Sequence, residues 1–471
     1  MKPEILTFAA VLLSVITLSS CLGDNDNEYV LSQNVAITSV KLGTLNRYII
    51  GKKSDGTDSL YKRTIDCSSL YPMYINQLTR EIYNPDSLPG DIDTRHVIIN
   101  ISYLNGSTIG LKSLTSDSLR NFTSSDSVDF TQPRWFYLYS QDGSGYTKYL
   151  IKLNKHNEDG DAFDWNKVTA ENPFEGNVNG MRATSTGTGK LVVMATDGSR
   201  TSSYVFNEAK TSWSRYDMAG DTQCLNSLIT KNYKAFTIAD GNLYQYDNSW
   251  TVTKACDLKQ LMGATNYRLY GIDNDGNVVS SADDGDSWET ETLDADAALL
   301  PNRDVFLAYR KLMTNERTNQ LTIVGNIDSE QTPNDSTAVI WNKVEENTEN
   351  ARKHNWAYAP FASDNRCKLP RLENLQVANF DDGMIAIGSL GTDEDGLAQL
   401  SQIYFSQDNG LTWHVDSNMA LPEDFKPKAG QFAMTVDSAN FIWLISASDG
   451  QLWKGRFNRL GWEKHETSFV E

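Results

Sequence analysis

Histidine and cysteine are scarce in this chain, five of each in 471 residues. The histidines His96, His156, His354, His414 and His465 are scattered with no ligand spacing, so they point to no metal or other cofactor. Positive charge is also short, 42 Lys and Arg against 61 Asp and Glu, for a formal charge of −19. That balance repels a phosphate backbone and disfavours nucleic-acid binding. There is no His-Glu-x-x-His, no Cys-x-x-Cys and no Gly-x-Ser-x-Gly. Gly187-Thr188-Gly189-Lys190 lacks the first Gly and the final Ser or Thr of a phosphate loop, and reads as a β-turn before a strand. No segment beyond the N-terminal stretch approaches 18 consecutive apolar residues, the scale of a membrane-spanning helix. What the chain does have is 11 Trp, 21 Tyr and 31 Gly, the composition of β-structure with many turns. Its length exceeds one ordinary core and calls for two or three domains.

The N-terminus carries an address. Residues 5–18 are an apolar run of about 14 residues, short of the roughly 20 that span a bilayer, so they read as a secretory segment to be removed. Leu18-Ser19-Ser20-Cys21 resembles the lipobox of bacterial lipoproteins, with Glu4 a departure from a purely basic start. The resemblance implies removal of residues 1–20 and a diacylglycerol plus an N-acyl chain on Cys21, which would then anchor the protein to a membrane. Residues 21–33 are polar and acidic, a tether that resembles the surface-export signal of Bacteroidota lipoproteins. The expected location is the outer membrane, facing outward at the cell surface.

The strongest internal pattern is a Trp on a short strand, at Trp165, Trp213, Trp250, Trp288, Trp356, Trp413 and Trp462. The intervals are 48, 37, 38, 68, 57 and 49 residues, the period of propeller blades. Asp-Gly turns at 197–198, 240–241, 275–276, 395–396 and 449–450 separate apolar strands within the intervals. The last unit predicts strands over 431–436, 441–446, 451–457 and 461–465. The reading is a six-bladed β-propeller over residues 163–471, with a seven-bladed alternative if residues 135–167 form part of a blade.

Two units hold a full Ser-x-Asp-x-Gly-x-(Ser/Thr)-Trp motif: Ser281, Asp283, Gly285, Ser287 and Trp288, then Ser406, Asp408, Gly410, Thr412 and Trp413. Both resemble the Asp-box of sialidase-like propellers, where the carboxylate ties a turn together and the residues are structural. Residues 34–157 show alternating runs at 35–42, 48–52, 60–65, 96–103, 135–140 and 148–153, which predict an Ig-like β-sandwich. The stretch from Ser127 to Lys152 resembles the closing hairpin of Ig-like domains in Bacteroidota surface lipoproteins. The order of parts over nearly the whole chain resembles a family of such lipoproteins described as cell-adhesion proteins, with an N-terminal β-domain and a C-terminal propeller.

A sialidase would need three convergent arginines and a Tyr and Glu pair, and its Arg-Ile-Pro start is absent. No catalytic residue is assigned. Cys67, Cys224, Cys256 and Cys367 read as small buried thiols, with a disulfide between Cys224 and Cys256 the alternative. Residues 328–337, 345–353 and 391–400 read as insertions in the fourth and fifth units. Trp341, Trp443 and Trp453 read as core residues, with glycan stacking the alternative. The function expected is non-catalytic capture of a glycan or a surface protein by the propeller. A propeller glycoside hydrolase or lyase and a structural accessory subunit of an envelope complex are the alternatives.

Overall fold

The computed structural model describes residues 34–53, 57–218, 222–312, 315–328, 330 and 336–462. Residues 1–33, including the lipobox, Cys21 and the tether, lie outside them. The chain divides into two compact units, residues 1–159 with 464–471, and residues 160–463. Both are built almost wholly of strands, as the turn-rich, aromatic composition predicts. Among the described residues no helix is long and apolar enough to cross a membrane.

In the first unit a three-stranded sheet is formed by Ala36–Leu42, Val97–Leu104 and Ser127–Val128. A six-stranded sheet runs in spatial order Tyr74–Asn76, Glu81–Tyr83, Tyr146–Lys152, Arg134–Ser140, Gly106–Lys112 and Leu119–Phe122. Thr44–Lys52 and Asp58–Asp66 make a separate hairpin. The period-2 pattern explains the layering: Phe136, Leu138, Tyr149 and Ile151 point inward and meet Ile37, Val40, Val97 and Ile99 from the other sheet in one core. Each of the six alternating runs lies on a strand. The pairing of Glu81–Tyr83 with Tyr146–Lys152 is parallel, a long-range contact that no local pattern announces.

The second unit has six sheets among the described residues, each with a path of four hydrogen-bonded antiparallel strands, and the fifth carries one strand more. Their first strands are Gly180–Gly187, Ile229–Lys231, Leu258–Ala264, Arg303–Leu312, Glu373–Phe380 and Phe432–Val436. Residues of all six line one central cavity, the arrangement of a β-propeller. The recurring tryptophans mark the outermost strands: Trp213 and Trp250 lie on fourth strands, and Trp288, Trp356 and Trp413 immediately precede them.

The sixth sheet corrects the sequence reading. Its fourth strand is Phe163–Lys167, which pairs antiparallel with Leu452–Phe457. Of the expected strand over 461–465, Gly461 closes a 3-10 turn, Asn458–Gly461, and residues 463–465 lie outside the described residues. The physical reason is packing of the earlier strand, where Phe163 meets Phe457 edge-on at 5.2 Å and the Trp165 indole donates to the Ala420 carbonyl at 2.7 Å. Trp165 therefore belongs to the last sheet, although it opens the series in sequence.

Two smaller readings also change. Residues 391–400 are not a plain loop, because Ala398–Leu400 folds back as an extra strand on Gly383–Thr392. Glu345, assigned to an insertion, is 4% exposed on the strand Val339–Glu346; residues 329 and 331–335 of the other insertion lie outside the described residues. Cys67, Cys224 and Cys256 are buried thiols, in line with the sequence reading, and Cys367 is half-buried. Burial pushes Cys67 and Cys256 up to about 11, so both stay protonated at neutral pH.

Candidate functional site

The two Ser-x-Asp motifs fold into loops with one bond pattern. In the first, the Ser281 hydroxyl donates to Asp283 at 2.7 Å and accepts from the Gly285 amide, while the amide and hydroxyl of Ser287 donate to the two Asp283 oxygens at 2.9 and 2.6 Å. Ser406, Asp408, Gly410 and Thr412 repeat all four bonds. The Ser287 and Ser281 donors hold the Asp283 carboxyl below the usual carboxylate range. At Asp408 burial opposes ionisation, but the Thr412 and Ser406 donors outweigh it and the shift is again downward. Trp413 is buried and donates to the Gly410 carbonyl. Gly285 and Gly410 need their positive φ, 94° and 81°, to make the bend.

Each loop is a joint to the preceding sheet. Asp284, beside the first motif, takes the Lys231 ammonium at 2.6 Å, and Asp286 pairs with Lys254. The Arg310 guanidinium donates to the Gln407 carbonyl at 2.8 Å beside the second motif. These residues are thus spread along sheet junctions. Of this set, Lys231 alone lines the central cavity.

The cavity itself measures about 500 Å³, within the range of small-ligand sites. Its walls run along the later residues of each first strand into the turn that follows, so Arg182 lies deep and Tyr233, Asp381 and Asn440 lie at the rim. Arg182, 5% exposed, crosses the channel from the first sheet to the fourth. Its terminal nitrogens donate to the carbonyls of Asn226 at 2.7 Å and Val305 at 3.0 Å, and its Cζ lies 3.8 Å from the Phe306 ring centroid. Its Nε has no partner. Burial lowers this guanidinium to about 10. Burial also raises the nearby Asp304 carboxyl, against the opposing pull of Arg303, the Leu375 amide and Arg182. Gln376 adds a second strut, its amide reaching the Met181 carbonyl at 3.4 Å with Oε1 unpartnered. The deep end is therefore closed by polar side chains that bridge several sheets.

Above this floor the walls carry hydroxyls and amides. Thr184 and Thr230 share a hydrogen bond of 2.5 Å between the first two sheets. The Asn266 Oδ1 is buried without a partner, and the Asn379 Oδ1 accepts from the Tyr309 amide at 2.8 Å. Tyr233 stands 68% exposed at the rim, on a turn where Asn232 and Tyr233 both have positive φ, 48° and 65°. Gly187-Thr188-Gly189-Lys190 forms the turn between Gly180–Gly187 and Lys190–Thr196, and its Gly189 amide donates to Asp437. The acids of the lining are committed: Asp381 to Arg459 at 2.8 Å, Asp437 to three amides and the Trp443 indole.

Sequence reasoning pointed to none of these cavity residues. The available signal was Arg182 and Thr184 alternating with Met181 and Ala183 on a first strand, which puts a charge on the face opposite the core. Trp341 and Trp443 are fully buried, which removes them as stacking platforms; Trp453 is half-buried with Lys167 over its ring. Among the described residues no cluster of His, Cys, Asp and Glu could hold a metal ion.

Comparison with known proteins gives the family. Residues 159–465 match the DUF6242 beta propeller domain, and residues 40–153 match the DUF6242 N-terminal domain, a domain of unknown function. No curated protein matches. Among solved structures, a Bacteroides thetaiotaomicron structural genomics protein of unknown function shares 11% identity at a TM-score of 0.40, over 82% of this chain and 98% of that one. An auxiliary nutrient binding protein from Bacteroides ovatus shares 8% at 0.40, over 80% and 96%. YCF48 bound to D1 peptide shares 11% at 0.33, over 62% and 96%. With both of its domains matched in order, the chain belongs to the DUF6242 family of two-part β proteins that end in a β-propeller.

Proposed function

We propose that this chain is a lipid-anchored surface lipoprotein whose propeller captures a glycan or protein ligand in its central cavity without transforming it. In this reading residues 1–20 are a signal peptide, Cys21 carries the lipid, residues 21–33 are the tether, and residues 34–157 are an Ig-like spacer. The propeller over 163–471 has six blades, one for each sheet of the second unit. The observation that supports the reading best is the cavity of about 500 Å³ whose acids are already engaged and whose walls offer hydroxyls, amides and the exposed Tyr233. Such a lining supplies orientation and hydrogen bonds, the requirements of recognition.

The test is capture of oligosaccharides on a glycan array and of surface proteins by pull-down, with native protein beside Asn266→Trp, which would fill the mouth. Binding that survives the blocked mouth refutes the cavity as the site. Turnover of sialosides or other glycosides by the purified protein refutes the absence of chemistry.

A further inference from the structure

Resting on that reading, we infer that the cavity floor takes the carboxylate of an acidic saccharide, with Arg182 as its anchor. A guanidinium carries five N–H donors. Arg182 uses two of them on the Asn226 and Val305 carbonyls, which leaves three, including the unpartnered Nε. Both hydrogen-bond partners are neutral carbonyls, and the nearby acid, Asp304, makes no hydrogen bond to the guanidinium and is itself pushed toward its neutral form by burial. A buried cation with unspent donors is costly until an anion meets it, and the planar fork matches a carboxylate in two parallel bonds.

The surroundings point the same way. In a chain of formal charge −19, the lining contributes three cations, Arg182, Lys231 and Lys311, against Asp381 and Asp437. Lys231 is paired with Asp284 and Asp381 with Arg459, which leaves Arg182 and Lys311, the latter with no ion pair among the described residues, against Asp437, whose carboxylate accepts from four neutral donors. The field inside the mouth is thus more positive than the average surface, which draws an anion inward. The hydroxyls of Thr184, Thr230 and Thr435 and the buried, unpartnered Asn266 Oδ1 lie above the floor, suited to ring hydroxyls. The Tyr233 ring at the rim offers a stacking face for the next sugar.

The experiment is calorimetric titration of the full chain with free and methyl-esterified trigalacturonate, the same sugar with its carboxylates open or masked. Galactose oligomers and a peptide with an acidic C-terminus form two further arms. The expected result is that free trigalacturonate binds at least about tenfold tighter than its ester, the scale of a charged hydrogen bond. In Arg182→Lys, which keeps the charge but loses the fork, the preference for free over masked sugar should collapse. Equal affinity for free and masked sugar overturns the inference, as does binding of the acidic peptide alone, though either leaves capture by the cavity standing. Failure of every probe also overturns it, and the array with Asn266→Trp then decides the broader reading separately. Because the decisive comparison is between ligands on the unaltered protein, loss of folding in Arg182→Lys would not rescue the inference.

Discussion

Replacing Asp437 by Asn tests how the propeller ring is held closed. The carboxylate is 4% exposed and accepts four bonds: from the Ala439 and Phe441 amides on Oδ1, and from the Gly189 amide and Trp443 indole on Oδ2, at 2.9 to 3.0 Å. The Gly189 bond joins the first sheet to the sixth. Asn is the same size and keeps one acceptor, but it turns an NH₂ toward the Gly189 and Trp443 donors. Two bonds to a charged acceptor are then lost, nominally about 1.5–3 kcal/mol each, and since four donors share one carboxylate we take about 3 kcal/mol in total. At about 2.1 cal/mol/K per residue, a unit of about 300 residues unfolds with about 0.6 kcal/mol/K, so the melting temperature should fall by about 5 °C. Calorimetry reads this directly, and hydrogen exchange at Gly189 should accelerate more than exchange at Ala439, whose acceptor survives. Trp443→Phe removes one donor and should soften the effect of Asp437→Asn in a double-mutant cycle. A melting temperature unchanged within about 1 °C, with Gly189 still protected, would refute the argument.

The depressed carboxyls of Asp283 and Asp408 favour the fold at neutral pH, and that contribution fades as pH falls through the range below about 4 where each must take a proton. Asp283→Asn and Asp408→Asn together should flatten the drop in melting temperature between pH 7 and pH 3; an unaltered slope counts against the loops as the titrating element. Among the four thiols, half-buried Cys367 should react first with a disulfide reagent at pH 8, while Cys67 and Cys256, pushed to about 11, and buried Cys224 wait for unfolding. Fast labelling of all four in the native state would contradict their burial. Cys21→Ala should move the protein from the membrane fraction to the soluble fraction, and unchanged fractionation would remove the lipid anchor.

The elements that could be read from sequence are those whose cause is local. Tyr149, Ile151 and Leu153 alternate with Lys148 and Lys152, and that pattern alone places a half-buried strand. The Trp repeat is legible for the same reason, because six of its seven rings, Trp165 to Trp413, mark the outer strand of a sheet, and only Trp462 does not. Pairing between distant segments leaves no such trace. Nothing in Gly461-Trp462 or in Phe163-Asp164-Trp165 tells which of the two will join Leu452–Phe457, since the choice rests on Phe163 meeting Phe457. The cavity was hidden for a related reason: Arg182 acquires its meaning from Val305, 123 residues away and across the channel. The two Asp motifs drew attention because they are compact, yet their carboxylates are spent within their own loops.

The strand Phe163–Lys167 has a consequence for the order in which this protein is made. It leaves the ribosome, and any export channel, almost 300 residues before its partner Leu452–Phe457 exists. Until then this outer strand has no sheet to join, and before Asp437 is made the first sheet lacks the contact that secures it to its neighbour. Closing so long a loop is entropically expensive in total but only weakly dependent on each added residue, so the insertions in the fourth and fifth sheets cost little. The ring therefore completes late and as a whole, with a high contact order and slow folding. A chain interrupted before residue 457 would leave Phe163 and Trp165 bare, a ready signal for quality-control proteases that an incomplete copy should be destroyed.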